Sequence, residues 1–200
     1  IMPRLVGSEM CIRDRCAAEG VKIGFENVDG LVADLGGGSL ELARVENNVI
    51  TNKTSLPLGV LRLINNPIIK KRNLSKYIKN LFSDEKWLSK KKFKNLYLVG
   101  GTWRALFKLH LFQNEYPVHI IHQYSIDNDR LTKFLDKISS FSKSKLKTVE
   151  YISKSRTQYL PYSSIILNEI INLTNPKKIV CSISGCLLYT SPSPRDEALS

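Results

Sequence analysis

The apolar residues change their period along the chain. Leu31, Val32 and Ala33 form a short apolar run suited to a buried strand, and Leu31 to Leu35 is the first firm strand. Before it, the alternation from Val21 to Val28 suits either a strand or the end of a helix. After it, Leu40 and Leu42 share one side while Glu41, Ala43 and Val45 share the other, which keeps the Glu41 carboxylate off the leucine face. Asn47-Asn48 supplies a hairpin turn, since Asn tolerates positive φ, and Val49 to Leu56 makes a third strand. The chain leaves the sheet at Leu56-Pro57-Leu58-Gly59. Val60, Leu61, Leu63 and Ile64 then predict a helix that stops at Asn65-Asn66-Pro67, and Leu74 to Leu81 predicts a second, capped by Asn73 or Ser75.

From there strands and helices alternate. Leu96 to Val99 reads as a short buried strand, and Trp103, Leu106, Phe107 and Leu111 recur at helical spacing behind Gly100-Gly101 and a capping Thr102. Asp127 to Phe141 predicts an amphipathic helix, with Asp127 as cap and Leu131, Phe134, Leu135 and Ile138 on one face. Lys145 to Ile152 suits another short helix. Leu160-Pro161-Tyr162 opens a stronger one carrying Ile165, Ile166, Ile170 and Leu173, and Asn175-Pro176 ends it. Lys178 to Ile183 is the last strand, followed by a loop at Ser184-Gly185. Three meandering strands followed by strand-helix alternation describe an α/β domain, a mixed sheet with helices on it. There are no internal repeats, heptads or low-complexity linkers.

Two glycine turns interrupt this scaffold. In the first, Asp34 ends a strand, Gly36, Gly37 and Gly38 follow, and Ser39 and Glu41 open the next strand. Consecutive glycines allow backbone angles closed to other residues, and their amides can form a nest that an anion approaches closely. Carboxylates at Asp34 and Glu41 would repel bare phosphate, so a cation belongs between them; Mg²⁺ accepts one or two carboxylates together with phosphate oxygens and water. The plain alternative is a glycine-rich hairpin turn with a solvated Asp and Glu. In the second turn, a strand ending at Gly100-Gly101 and entering a helix at Thr102 aims free N–H groups at one point, which suits phosphate. Close packing of that helix on the sheet is the alternative.

Both ends of the chain are read as foreign. Cys186 to Asp196, CLLYTSPSPRD, can be encoded by a DNA whose reverse complement, in another frame, gives LVGSEMCIRD, which is Leu5 to Asp14. A transposase sequencing adapter read through at both ends would leave this signature, so residues 1–15 and 186–200 are set aside and 16–185 are treated as native, an internal piece of a longer protein. The short first apolar stretch, interrupted by charge, is neither a signal peptide nor a membrane span. Of the four cysteines, Cys11 and Cys186 fall in the adapter copies and Cys16 at the junction, which leaves Cys181. That excludes a disulfide framework or a zinc ligand set and makes a reducing, cytoplasmic compartment the default.

The formal charge of +12 is not an artefact of the ends, because Arg4, Arg13 and Arg15 face Glu9 and Asp14 at one end and Arg195 faces Asp196 and Glu197 at the other. Its lysines come with many Ile and Asn, all AT-rich codons, so base composition, a nucleic-acid surface and a polyanionic substrate each account for it. Lys90-Lys91-Lys92 reads as a solvated loop. His119 and His122 lie three apart in an extended stretch and so face opposite sides, which argues against shared metal coordination, and His110 reads as a packed histidine.

With both glycine motifs placed, residues 16–185 resemble the exopolyphosphatase and guanosine pentaphosphate phosphohydrolase (Ppx/GppA) family, of alphaproteobacterial type. The resemblance rests on GLVADLGGGSLEL at 30–42, SLPLGVLRL at 55–63, VGGTWRALFKLH at 99–110, YPVHIIHQYSI at 116–126 and SRTQYLPYSSIILNE at 155–169. It implies a ribonuclease H-like fold of the actin, sugar kinase and chaperone ATPase superfamily, here as the second domain of a two-domain cleft. The family motif D-x-G-G-G-S-x-E falls on Asp34, Gly36, Gly37, Gly38, Ser39 and Glu41 without a gap.

By that resemblance Glu41 orients or deprotonates the attacking water, Asp34 holds Mg²⁺ through water with Glu41 nearby, and Ser39 and the glycine amides hold the scissile phosphate. Gly100, Gly101 and Thr102 match the later glycine motif, and Arg62, Arg104 and Arg156 are candidate phosphate contacts. The implied activity is hydrolysis of terminal phosphoanhydride bonds of polyphosphate or guanosine pentaphosphate, without membrane or nucleic-acid partners, in a homodimer of the longer protein. The family's first phosphate loop and a further catalytic glutamate have no counterpart in 16–185, so this piece is expected to be inactive alone. A sugar- or acetate-kinase-like phosphotransferase is the rival within the superfamily. A basic nucleic-acid-binding module is the rival outside it, although aromatics are not interleaved with the basic runs as stacking requires.

Overall fold

The computed structural model describes residues 17–89, 93–117 and 120–183. Both adapter stretches, Cys11, Cys16 and Cys186, the Lys90-Lys91-Lys92 run, His119 and the Ser184-Gly185 loop lie outside them. A helix, α1, covers 17–24. Strands β1 (Gly30–Leu35), β2 (Leu40–Glu46) and β3 (Val49–Leu56) follow, then α2 (Val60–Ile64), α3 (Lys71–Asp84) and α4 (Lys86–Ser89). Next come β4 (Asn95–Val99), α5 (Gly101–Gln113), β5 (Ser125–Ile126), α6 (Asn128–Ser139), α7 (Lys143–Lys147), α8 (Lys154–Thr157), α9 (Leu160–Thr174) and β6 (Lys178–Cys181).

The six described strands form one mixed sheet in the order β3-β2-β1-β4-β6-β5. β1, β2 and β3 make an antiparallel meander, closed between β2 and β3 by Asn47 and Asn48 with φ of 49° and 64°. β4 lies parallel beside β1, β6 lies parallel beside β4, and β5 pairs antiparallel with β6. The carboxyl ends of β1, β4 and β6 therefore share one edge.

Strand alternation divides the core. Leu31, Ala33 and Leu35 of β1 join Leu40, Leu42, Leu96 and Leu98 under the larger helical layer. Val32 faces the other way, with Ala43, Val45, Tyr97, Val99 and Val180, and α1 covers this side through Ala17, Ala18 and Val21. The alternating positions at 21–28 thus begin as helix, and Val21 is core.

Several boundaries depart from the pattern. α3 starts at Lys71, and Lys70 precedes it with no side-chain cap in place of Asn73 or Ser75. Its buried stripe is Leu74, Ile78 and Phe82, and burial of such residues contributes roughly 1.5–3 kcal/mol each, against about 1 kcal/mol for a cap. Packing sets that helix. α6 ends at Ser139, and Asp127 holds the cap position without a side-chain hydrogen bond. α7 is shorter than expected and lies earlier, where Ser142 Oγ accepts the Lys145 N–H at 3.3 Å. β6 ends at Cys181, two residues before Ile183. The single turns α4 and α8 and the two-residue β5 are too short to show a period.

Candidate active site

Asp34 and Glu41 are direct partners in the β1–β2 ladder, so both side chains rise on the α1 face at the mouth of the glycine loop. Glu41 is 5% exposed, and the Ser39 hydroxyl donates to its Oε1. Asp34 is half-buried.

The loop is closed by the Gly36 N–H, which donates to the Ser39 carbonyl at 3.0 Å. Its outer side is held by α2. Val60 N–H donates to the Gly36 carbonyl at 3.2 Å, and the N–H groups of Leu61 and Arg62 donate to the Gly37 carbonyl at 2.9 and 3.1 Å. A trans peptide points its N–H opposite to its C=O. With the carbonyls of Gly36 and Gly37 drawn toward α2, the N–H groups of Gly37 and Gly38 are turned away from it, as two successive donors. The amides at the start of α2 are spent on the loop, so α2 acts as a buttress.

The glycines are not there for left-handed backbone. Among the described residues the positive-φ glycines are Gly30 and Gly100, so Gly36, Gly37 and Gly38 do not use the angles expected of them. Close approach explains Gly37 and, from the α2 side, Gly59. A β-carbon on Gly59 would lie 2.2 Å from the Gly38 carbonyl carbon, and one on Gly37 would lie 2.7 Å from Leu61 Cδ1. Gly38 is different. A β-carbon there would meet nothing within 4 Å, so its bare Cα faces open space.

β4 brings the second turn against the first, since Asp34 pairs in register with Val99. Gly100 has φ of 108° and is the N-cap of α5; its β-carbon position lies 2.7 Å from Asp34 Oδ1 and 3.1 Å from the Leu35 carbonyl. Thr102 is therefore the second helical residue and not the cap, because the glycine turn lets the helix start a residue earlier.

Arg156 Nη1 donates to the Gly101 carbonyl at 3.1 Å, and a β-carbon on Gly101 would come within 2.8 Å of that nitrogen. Arg104 Nε donates to the Gly100 carbonyl at 3.4 Å. The two arginines line one cavity of about 410 Å³ with Lys108, Tyr151 and Ser153. Arg62 gives its backbone N–H to Gly37 while its side chain is exposed. The structure thus gathers Asp34, Gly36, Gly37, Gly38, Ser39, Glu41, Gly100, Gly101, Arg104 and Arg156 on one sheet edge, with Arg62 and Thr102 beside them in the chain.

Two structural contributors were visible only as part of a pattern. Gly59 stood in an apolar run with nothing to mark its contact with the glycine loop. Trp103, fully buried, read as helix core, yet its Nε1–H donates to the Ala33 carbonyl at 3.2 Å and ties α5 to β1 one residue before Asp34. The two described histidines are engaged elsewhere. His110 packs edge-on against Phe134 and lies 3.2 Å from the Tyr124 hydroxyl through Nδ1, while His122 stacks near Phe25. Among the described residues no three of His, Cys, Asp and Glu gather as a metal cage, so a cation at the loop would draw on the two carboxylates, phosphate oxygens and water.

The sequence profile of the Ppx/GppA phosphatase family matches residues 14–186, which contain both glycine turns and their buttresses. The chain belongs to that family. Solved structures agree on the fold. An exopolyphosphatase from Cytophaga hutchinsonii superposes with a TM-score of 0.77 at 17% identity, over 90% of this chain and 62% of its own. The Aquifex aeolicus Ppx/GppA phosphatase, in its type II variant, gives 0.68 at 21% identity over 87% and 60%. These Ppx/GppA relatives have the actin-like ATPase fold, and the mixed sheet described above is its core. The chain spans about 60% of the length of these solved relatives. No curated protein matches the chain by sequence. No described helix is long and apolar enough to cross a membrane.

Proposed function

We propose that this chain forms one wall of a phosphoanhydride hydrolase site that releases orthophosphate from the end of inorganic polyphosphate or guanosine pentaphosphate. The observation that carries this is Gly38. Gly37, Gly59, Gly100 and Gly101 are explained by close approach or by φ, whereas Gly38 meets open space on the loop that joins the Asp34 and Glu41 strands, beside outward-turned amides. A phosphate seated there accounts for the missing side chain.

In this reading the amides of Gly37 and Gly38 and the Ser39 hydroxyl hold the terminal phosphate, with Gly36 closing the loop. Gly100, Gly101 and Thr102 face it from β4 and α5. Arg156 and Arg104, fixed to that turn, neutralise charge on the transferring group, and Arg62 lies within reach of the outer phosphates. Glu41 takes a proton from water as the water oxygen bonds to phosphorus in line with the anhydride oxygen. The P–O bond to that oxygen breaks, and the shortened chain leaves with the electron pair. The transition state is loose, so positioning and charge neutralisation do most of the work. The donor set fits Mg²⁺, which Asp34, with Glu41 beside it, would hold through water and which would offset phosphate charge.

The site needs an opposite wall, so residues 16–185 act as the second domain of a two-domain cleft, in a cytoplasmic, homodimeric protein. Phosphate release from long-chain polyphosphate and from guanosine pentaphosphate, with and without Mg²⁺, on the full-length protein and its Glu41→Gln variant, tests the reading. Release that requires both Mg²⁺ and Glu41 supports it. Transfer of phosphate to a small acceptor with no hydrolysis replaces it with a kinase-like phosphotransferase.

A further inference from the structure

A second concave surface lies at the opposite end of α5. Counting from Gly101 at the glycine edge, His110 is about 14 Å further along the helix at 1.5 Å per residue. There the C-terminal turn of α5, β5 and one face of α6 enclose a cavity of about 730 Å³. Its floor is aromatic and neutral. His110 is 7% exposed and shares Nδ1 with the Tyr124 hydroxyl, and Tyr116 stands edge-on to Tyr124 with ring centres 5.4 Å apart. Burial first, and the Arg130 guanidinium second, push His110 below its usual pKa, so the imidazole meets the cavity uncharged.

The rim is cationic. Arg130, Lys133 and Lys137 lie at positions i, i+3 and i+7 of α6, all exposed and all lining the cavity, and Lys137 Nζ reaches across to Gln113 Oε1 at 3.4 Å. Among the described residues none of the three makes an ion pair within 4 Å, and Asp127 is the one carboxylate in the lining. The carboxylate of α6 that is engaged, Asp136, takes the Asn168 amide instead. Codon bias explains how many lysines the chain has but not why three α6 cations line a cavity floored by tyrosine hydroxyls and a neutral histidine. Nothing in the proposed hydrolysis uses these residues.

We propose that this cavity is a second anion site, remote from the glycine loops, that binds an oligophosphate group, with the phosphates against Arg130, Lys133 and Lys137 and the inner oxygens against the Tyr116 and Tyr124 hydroxyls. Charge-assisted hydrogen bonds from a mixed arginine and lysine rim suit phosphate, and the polar floor supplies donors without a compensating charge. An inorganic chain and a nucleotide present the same group, and Tyr116, 41% exposed, offers a ring face to a base.

The test is a titration of the chain with tripolyphosphate at low salt, followed through the His110 and Tyr124 ring resonances by NMR. The same titration is made on Arg130→Gln/Lys133→Gln, on Lys137→Gln and on Gly38→Val, which obstructs the glycine loop. We expect saturable shifts of both rings in the parent chain and in Gly38→Val, and an apparent Kd weakened about tenfold or more in the double variant. The substituted cations are exposed, so thermal melting serves as the folding control, and Lys137→Gln repeats the test singly. The site is overturned by rings that do not move, or by shifts that vanish in Gly38→Val and persist in the α6 variants, which would put all phosphate binding at the glycine loop. Repeating the titration with ADP separates the sources. A further shift of Tyr116 with tighter binding assigns a nucleotide, and equal affinity without it assigns the phosphate chain. None of these results bears on the Glu41-dependent release that tests the hydrolase reading.

Discussion

Gly100 and Asp34 exclude one another's space: a β-carbon on Gly100 would stand 2.7 Å from Asp34 Oδ1, in a backbone with φ of 108°. The two glycine turns are therefore one structure, in which the later turn sets where the earlier turn's carboxylate can go. With ψ of 159° the Gly100 backbone is one that essentially only glycine adopts, so Gly100→Ala is expected to destabilise the chain by about 1–3 kcal/mol through the conformation alone. Displacement of Asp34 adds to this, and Mg²⁺-dependent phosphate binding weakens with it. Urea denaturation gives the first quantity and calorimetric titration with phosphate and Mg²⁺ the second. An unchanged midpoint in urea would show that the turn relaxes freely and that Asp34 is not held by it.

Gly59 and Gly38 predict opposite outcomes for the same change. A methyl group on Gly59 would sit 2.3 Å from the Gly37 carbonyl oxygen and as close to the Gly38 backbone nitrogen, which cannot swing aside as a side chain would, so Gly59→Ala costs about 3 kcal/mol or more. Gly38→Ala meets open space and has no positive φ to strain, so stability stays level or rises by about 0.4–1 kcal/mol through the unfolded chain. Phosphate release by the full-length Gly38→Ala protein falls nonetheless, by about 10²-fold if the methyl group displaces the phosphate from its amide donors. Full activity in that variant would remove the main support for the loop as a phosphate seat.

Most of the sheet and the carboxylate pair were legible because strand alternation and the strand-turn-strand pattern are local. Leu31, Leu40 and Leu42 announce one face, and Glu41 the other. What sequence could not show is what the glycines are packed against. Gly37 is needed for Leu61 and Gly59 for the loop itself, contacts between elements that only the fold creates, and the expectation of backbone angles closed to other residues is not met by a positive φ at Gly36, Gly37 or Gly38. Cap residues misled for a related reason. Asn73 and Ser75 are good local capping types, but the buried stripe of Leu74, Ile78 and Phe82 outweighs a cap in setting where α3 begins, and at Thr102 the glycine turn starts the helix a residue earlier. The single-turn helices and β5 carry too few residues to reveal any period.

Cys181 ends β6 on the glycine edge, fully buried, and burial pushes its thiol up to about 12, with Arg104 pulling in the opposite direction. Only the thiolate reacts, so the thiol is inert near neutral pH while the fold holds. Iodoacetamide at neutral pH should leave the peptide containing Cys181 unmodified in the native chain and alkylate it in urea, with peptide mapping separating it from the other cysteines. Rapid native labelling would mean that the β6 end opens locally.

His110 gives the fold a defined response to acid. Its folded pKa lies below the ordinary value of about 6.5, chiefly through burial and secondly through Arg130, while the unfolded chain takes up the proton near that ordinary value. Between the two values the unfolded state holds more protons, so this component of stability is complete above about pH 6.5, declines as pH falls toward the folded pKa, and levels off below it. A His110→Gln variant loses the packing against Phe134 at every pH but lacks this titration. The stability gap between the parent chain and the variant, measured by urea denaturation, is therefore expected to narrow as pH falls from about 7 to about 5. A constant gap across that range would mean that the imidazole is protonated as readily in the folded chain as in the unfolded one, which its seat between Tyr124 and Phe134 does not allow.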